Sequence, residues 1–182
     1  TLGYGIEGTT GLSDKLNLRV GYQGINADFD YDYDTDNGVT ANFSNELDLS
    51  NVSLILDWHA FNGAFRFSGG VMSNGFEFAG NAPQGNYQIG DNTYDVALGV
   101  MFETDNAAAP YFGVGWGNAV DQKRRWIFSA DLGLLYTGPF SVDLTAEGVP
   151  ADDIASEEEK IQDELDRYSV YPVATIGVSY RF

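Results

Sequence analysis

The sequence contains no cysteine and a single histidine, His59, in 182 residues. The first absence removes disulfide staples, thiolate zinc sites, iron–sulfur clusters and thiol nucleophiles together. The second removes most of what remains of imidazole metal sites and catalytic triads. Positive charge is also scarce, because 9 Lys and Arg against 27 Asp and Glu leave a formal net charge of −18. Such a chain repels phosphate backbones and offers no basic patch for counterion release, which argues against nucleic acid as a partner. No run approaches the ~18 consecutive apolar residues of a membrane-spanning helix, so a helical membrane protein is excluded. No charged-then-apolar leader stands at Thr1, so either a signal segment has been removed or none existed. Aromatic residues and glycine, by contrast, are plentiful: 14% of the chain and 22 of 182 residues. Both point to β-structure.

From Thr1 to about Val149 apolar residues recur with period two, the signature of strands with one apolar face. Leu16, Leu18, Val20 and Tyr22 alternate with Asn17, Arg19 and Gln23; Val52, Leu54, Leu56 and Trp58 alternate with Ser53 and Asp57. The same holds for Tyr4 and Ile6 against Glu7, for Phe65 and Phe67 against Arg66, and for Tyr94 to Phe102 against Asp95 and Glu103. Phe112, Val114 and Trp116 alternate with Gly113, Gly115 and Gly117; Trp126 to Tyr136 oppose Asp131; Val178, Tyr180 and Phe182 oppose Arg181.

Two architectures share this pattern. In a soluble sandwich the apolar face points into the core. In a transmembrane barrel it meets lipid, and the polar face lines a narrow lumen. Charge placement favours the barrel. Its lumen would collect Glu7, Arg19, Asp57, Arg66, Asp95, Glu103, Asp131 and Arg181 with Gly113, Gly115 and Gly117, a mixed set able to pair inside. The apolar faces carry almost no charge and end in aromatic residues such as Tyr22, Trp58, Trp116 and Trp126, as interface belts do.

The expectation is a single all-β domain over 1–182, an antiparallel up-and-down transmembrane barrel of eight strands, with ten held open. Nine candidate strands emerge, at 1–9, 16–35, 39–59, 63–75, 92–104, 109–119, 125–137, 140–148 and 169–182. An acidic hairpin over 25–49 turns at Asp36-Asn37-Gly38, a strong two-residue turn signal. Its face parity slips near Gly24-Ile25 and again near Ser50-Asn51, which predicts a facing bulge or kink. Short periplasmic turns are expected at 11–15, 61–63 and 105–106, and longer extracellular loops at 74–92 and 118–125. Pro150 and the acidic residues after it open a helical loop over 150–168, where Asp163 and Arg167 form an i,i+4 pair.

Few residues suggest chemistry. Gly113, Gly115 and Gly117 lack the helix that a nucleotide loop requires. The run Asp30, Asp32, Asp34, Asp36 resembles a calcium loop, but its twelfth position counted from Asp32 is Phe43, so an acidic solvated surface is the simpler reading. His59 would need a serine and an acid to hydrolyse lipids. No catalytic residue, metal or cofactor is expected.

The ending Val178-Ser179-Tyr180-Arg181-Phe182 resembles the last-strand signal of bacterial outer-membrane barrels. With the Gly-rich first strand, Leu12-Ser13-Asp14-Lys15-Leu16-Asn17-Leu18-Arg19 and Pro110-Tyr111-Phe112-Gly113-Val114-Gly115-Trp116-Gly117, most of the chain is similar to small barrels of the OmpW and opacity-protein type. The resemblance implies an outer-membrane protein whose signal peptide has been removed. It implies assembly through Tyr180 and Phe182 by the barrel assembly machinery, contact with outer-membrane lipids, and binding or passage of a small, hydrophobic solute. The alternatives are a surface-interaction barrel using the acidic hairpin and, third, a lipid hydrolase built on His59.

Overall fold

The structure is a computed structural model that describes residues 3–34, 40–61, 63–73, 75–104, 107–121, 124–165 and 169–182, with backbone alone at 31–34 and 40–42. Ten strands and one helix follow in order: β1 Tyr4–Ser13, β2 Leu16–Asp34, β3 Thr40–Trp58, β4 Phe65–Ser73, β5 Gly75–Ile89, β6 Asn92–Thr104, β7 Ala108–Trp116, β8 Trp126–Tyr136, β9 Phe140–Ala146, α1 Ala151–Leu165 and β10 Val170–Tyr180. All pairings are antiparallel, in one sheet.

The registers reduce the ten strands to seven lines. β4 and β5 both pair with β3 in one unbroken register, Ser53 opposite Met72 and Ser50 opposite Gly75. β6 and β7 in turn run down β5 and β4, and β8 and β9 run up β7 and β6. Each line therefore pairs with the next in the chain, the up-and-down meander expected from the sequence. The sheet is rolled, because Arg19 on β2 reaches Asp131 on β8, four lines away. Among the described residues it is not closed: β1 and β10 are edges of its lower half, and β9, paired with β6, is an edge of its upper half.

Several sequence expectations change. The expected loop over 74–92 is, in its described residues, strand β5 Gly75–Ile89 with a turn at Gly90–Asp91; its glycine, asparagine and glutamine had masked the alternation of Phe76 and Phe78 with Glu77. Of the expected 118–125 loop, residues 118–121 and 124–125 are described and lie at the short-turn end, where Asn118 accepts a hydrogen bond from Asn17 and the Arg125 carbonyl accepts from the Arg181 amide. The 105–106 turn and the Asp36 turn fall outside the described residues; the flanking strands β6 and β7 run in the same direction along one line. The predicted slips do face each other, Gly24 opposite Ser50 and Ile25 opposite Leu49, yet β2 and β3 stay in register through all nineteen pairs, from Leu16–Trp58 to Asp34–Thr40, without a bulge. The helix spans Ala151–Leu165, and Arg167 lies outside the described residues.

What slips is the side-chain pattern, and it does so at one height. Below Gly24, Ser50 and Gly75 the outer face carries exposed Val20, Tyr22, Val52, Leu54, Leu56, Trp58, Phe67 and Val71. Above that height the same outer face carries Asp28, Asp48, Glu46 and Glu77, and the inner face turns apolar, with Leu49 beside Phe76 and Leu47 beside Phe78. Lipid requires apolar groups outside and water requires them inside, so this height is an edge of the hydrocarbon zone. The end with short turns and the C-terminus matches the periplasmic end of such barrels.

Candidate functional site

Inside the membrane-level half, side chains from β1, β2, β3, β4 and β8 converge. Arg19 contacts Glu7 at 3.2 Å, Asp57 at 2.6 Å and Asp131 at 3.5 Å. The Arg66 Nη2 donates to both oxygens of Asp131, at 2.8 and 2.7 Å, its Nε lies 3.6 Å from Asp57, and its Nη1 donates to the Gly117 carbonyl. Ser68 donates to Asp57 at 2.6 Å. Asp57 and Arg66 are almost wholly buried, at 2% and 3% exposure. Charges taken this far from water persist only when paired, and here two guanidinium groups face three carboxylates.

The glycines complete the fit. Arg66, Gly115 and Asp131 are directly opposite one another on three adjacent strands. A Cβ at Gly115 would collide with the Asp131 carboxylate and press on Arg66 Nε, so glycine leaves the ion pair its path over β7. Gly113 and Gly133, also paired, underlie the ring of Tyr111, which is 2% exposed. The glycine face therefore holds side chains and is not open lumen space. Gly117 has φ +118°, a conformation that favours glycine, where the chain leaves β7. Beside the ion cluster, Tyr111, Ile55, Met72, Ala109, Leu135 and Val173 form a buried apolar storey.

The structure thus brings together Glu7, Arg19, Asp57, Arg66, Asp131, Gly115 and Gly117. Arg181 lines a cavity between β1 and β10 of about 890 Å³ together with Glu7, Arg19 and Asp131. Asp95 and Glu103 do not join: both are exposed on the outer face above the membrane, where Glu103 stands opposite Glu77. The cause is the chain's route from β7 to β6. From Met72 to Glu77 the β4–β5 line advances five residues, while the adjoining line spends six between their partners Ala109 and Glu103, so the parity of its faces reverses. Reading the sequence missed Ser68 and Tyr111, which carry no charge and sit in ordinary strand patterns.

His59 is buried at the periplasmic end, where its Nδ1 donates to the Gly63 carbonyl at 3.0 Å and its Nε2 accepts from Asn17 at 3.1 Å. Both ring nitrogens are engaged in holding the turn, which leaves neither to act as a base. Of the aspartate run, Asp30 is exposed; Asp36 lies outside the described residues, as do the side chains of Asp32 and Asp34.

On the extracellular half, a curved sheet of β2, β3, β5, β6 and β9 presents an apolar inner face. Its rings run from Phe29 to Phe78 at 6.4 Å and on to Phe102 at 5.8 Å, with Phe76 and Phe140 packed at 5.3 Å. Phe29 is 47% exposed and most of the others are half-buried, so the face is partly open. α1 lies against β9, where Glu158 accepts the Leu144 amide at 2.8 Å and so occupies that edge of the sheet.

The chain matches solved structures from end to end. The crystal structure of Acinetobacter baumannii CarO2 has a TM-score of 0.67 and 17% identity, with 100% of this chain and 94% of that one covered. That of Acinetobacter baumannii CarO has a TM-score of 0.62 and 21% identity, with 100% and 93% covered. The shared fold is that of an outer-membrane β-barrel. No protein-family model matches the sequence, and no curated protein resembles it closely in sequence.

Proposed function

We propose that this small outer-membrane barrel binds a small hydrophobic solute on the inner face of its extracellular sheet. The observation that carries this is the reversal of the apolar face at Gly24, Ser50 and Gly75. Above that height a soluble sheet would cover its apolar face with a second layer; here Phe29, Phe78 and Phe102 remain partly open. The ion cluster and the Tyr111 storey occupy the interior below on the side away from the β1–β10 cavity, which supports capture rather than an open aqueous pore. On this reading the resemblance to OmpW-type barrels extends to solute handling. Lipids contact the outer faces, and the exposed Phe182, with Tyr180 packed on Trp126 at 5.0 Å, forms the assembly signal.

The test is fluorescence titration of the detergent-solubilised protein with N-phenyl-1-naphthylamine, a neutral apolar probe, alongside planar-bilayer recording. Saturable binding that falls at least tenfold in Phe78→Asp, with heat-modifiable mobility retained, is the expected result. Steady ion conductance by the native protein, or probe binding indifferent to Phe78→Asp, would overturn it.

A further inference from the structure

The apolar inner face of the extracellular sheet ends at β9, and a carboxylate of α1 stands at that end. On this face Leu144 of β9 lies directly opposite Val100 of β6, and Val142 directly opposite Phe102. Leu144 is therefore the diagonal neighbour of Phe102, about 7–8 Å away. Its amide donates to one oxygen of Glu158 at 2.8 Å. Glu158 is thus fixed at the rim of the face that carries Phe78 and Phe102.

Glu158 differs from the other acidic side chains by which α1 touches the sheet. Asp153 accepts from Asn92 and Tyr94, and Glu157 accepts from the Gly90 amide and pairs with Lys160 at 3.4 Å. Glu158 is half-buried, and no cation among the described residues pairs with it. Its second oxygen keeps its acceptor capacity. A carboxylate drawn partly out of water without a counter-ion favours a cationic donor beside it.

The surroundings reinforce the sign. Above the height of Gly24, Ser50 and Gly75, Lys160 is the only Lys or Arg among the described residues. An anionic head group on the inner face would find no partner and would feel Glu46, Asp48, Glu77 and Glu103 across one layer of sheet. A cation gains from the same field, and beside Phe102 it gains from the face of the ring.

We infer that Glu158 selects the charge of the solute, and that the solute is a hydrophobic amine. Its ammonium group donates to the second oxygen of Glu158 while its apolar part lies over Phe102 and Phe78. The inference rests on the reading of the inner face as a binding surface. A neutral molecule of the same shape lacks the bond, and an anionic one meets repulsion as well.

The experiment displaces N-phenyl-1-naphthylamine from the detergent-solubilised protein with octylamine, octanol and octanoate, which share a chain length and are cationic, neutral and anionic at neutral pH. Dialysis against empty micelles fixes the free concentrations. Octylamine is expected to displace the probe at about a tenfold lower concentration than octanol, the worth of one charge-assisted hydrogen bond, and octanoate at a higher concentration than either. Glu158→Gln keeps an acceptor for the Leu144 amide and removes the charge, so the advantage of octylamine should be lost. Glu159→Gln, at an exposed position of α1, should retain it. Equal displacement by amine and alcohol in the native protein, with probe binding intact, would overturn the inference and leave the binding face standing. Equal loss in both variants would also overturn it, because selection would then come from the field of the whole extracellular half. Failure of the probe to bind at all would remove the binding face and this inference with it.

Discussion

Arg66 Nη2 rests on both oxygens of Asp131, at 2.8 and 2.7 Å, across a strand that places only Gly115 between them. The pair is a bridge over β7 rather than a neighbour contact, so its existence depends on the absence of a side chain beneath it. Even one methyl group there, in Gly115→Ala, forces the two charges apart while they stay buried. Separating a buried pair costs about 3–5 kcal/mol. The variant should show a correspondingly lower urea midpoint by tryptophan fluorescence in micelles; an unchanged midpoint would mean that the bridge contributes nothing.

The interior is blocked twice, first by the ion cluster and then by the Tyr111 storey. Removing one leaves the other. Arg66→Ala with Asp131→Ala should stay non-conducting in planar bilayers, and the triple variant with Tyr111→Ala should pass small ions. Conductance in the double variant would locate the barrier in the charges alone.

The height at which the apolar face reverses predicts opposite tolerances along one strand. Leu54 and Glu46 lie on the same outer face of β3, eight residues apart, below and above Ser50. Leu54→Arg places a cation in hydrocarbon and should destabilise by about 2–4 kcal/mol. Glu46→Arg changes a solvated charge and should stay within about 0.5 kcal/mol. Refolding titrations into lipid vesicles separate these outcomes, and similar costs at both positions would dissolve the boundary.

The same reversal explains which parts of the architecture the sequence disclosed. On β2 and β3 the apolar residues change parity while the backbone runs on unbroken, so the change was visible at Gly24-Ile25 and Ser50-Asn51, though it looked like a bulge. Along β7 to β6 the opposite happens: Phe112, Val114 and Trp116 keep the parity of Val100 and Phe102, and the backbone gains a residue between them. An unchanged pattern concealed a change of face, and Asp95 and Glu103 were assigned to the lumen for that reason. Glu7, Arg19, Asp57, Arg66 and Asp131 were legible because charge recurring opposite apolar faces has few places to go. Their mutual geometry, and the Ser68 hydroxyl among them, depended on how tightly the sheet rolls, which period-two patterns do not encode.

Outside the membrane, α1 is fastened by Asp153, which accepts hydrogen bonds from Tyr94 and from Asn92, the latter at 3.1 Å. The bond from Tyr94, then that from Asn92, holds the Asp153 carboxyl below its ordinary 3.8, and the same bond to Asp153 holds the Tyr94 hydroxyl above its ordinary 10.0. The signs give two limits. A depressed carboxylate contributes attachment that is complete above 3.8 and is lost as pH falls through the lower value in the folded protein. A raised phenol contributes attachment that is complete below 10.0 and is lost as pH climbs through the higher value. Between those limits the helix should stay docked, and exchange of the α1 amides should accelerate on either side while β3 and β4 remain protected. Tyr94→Phe should abolish the alkaline limit and move the acid limit upward toward 3.8. If the variant's α1 exchange followed the native profile at both ends, the Tyr94–Asp153 bond would not be what fastens the helix.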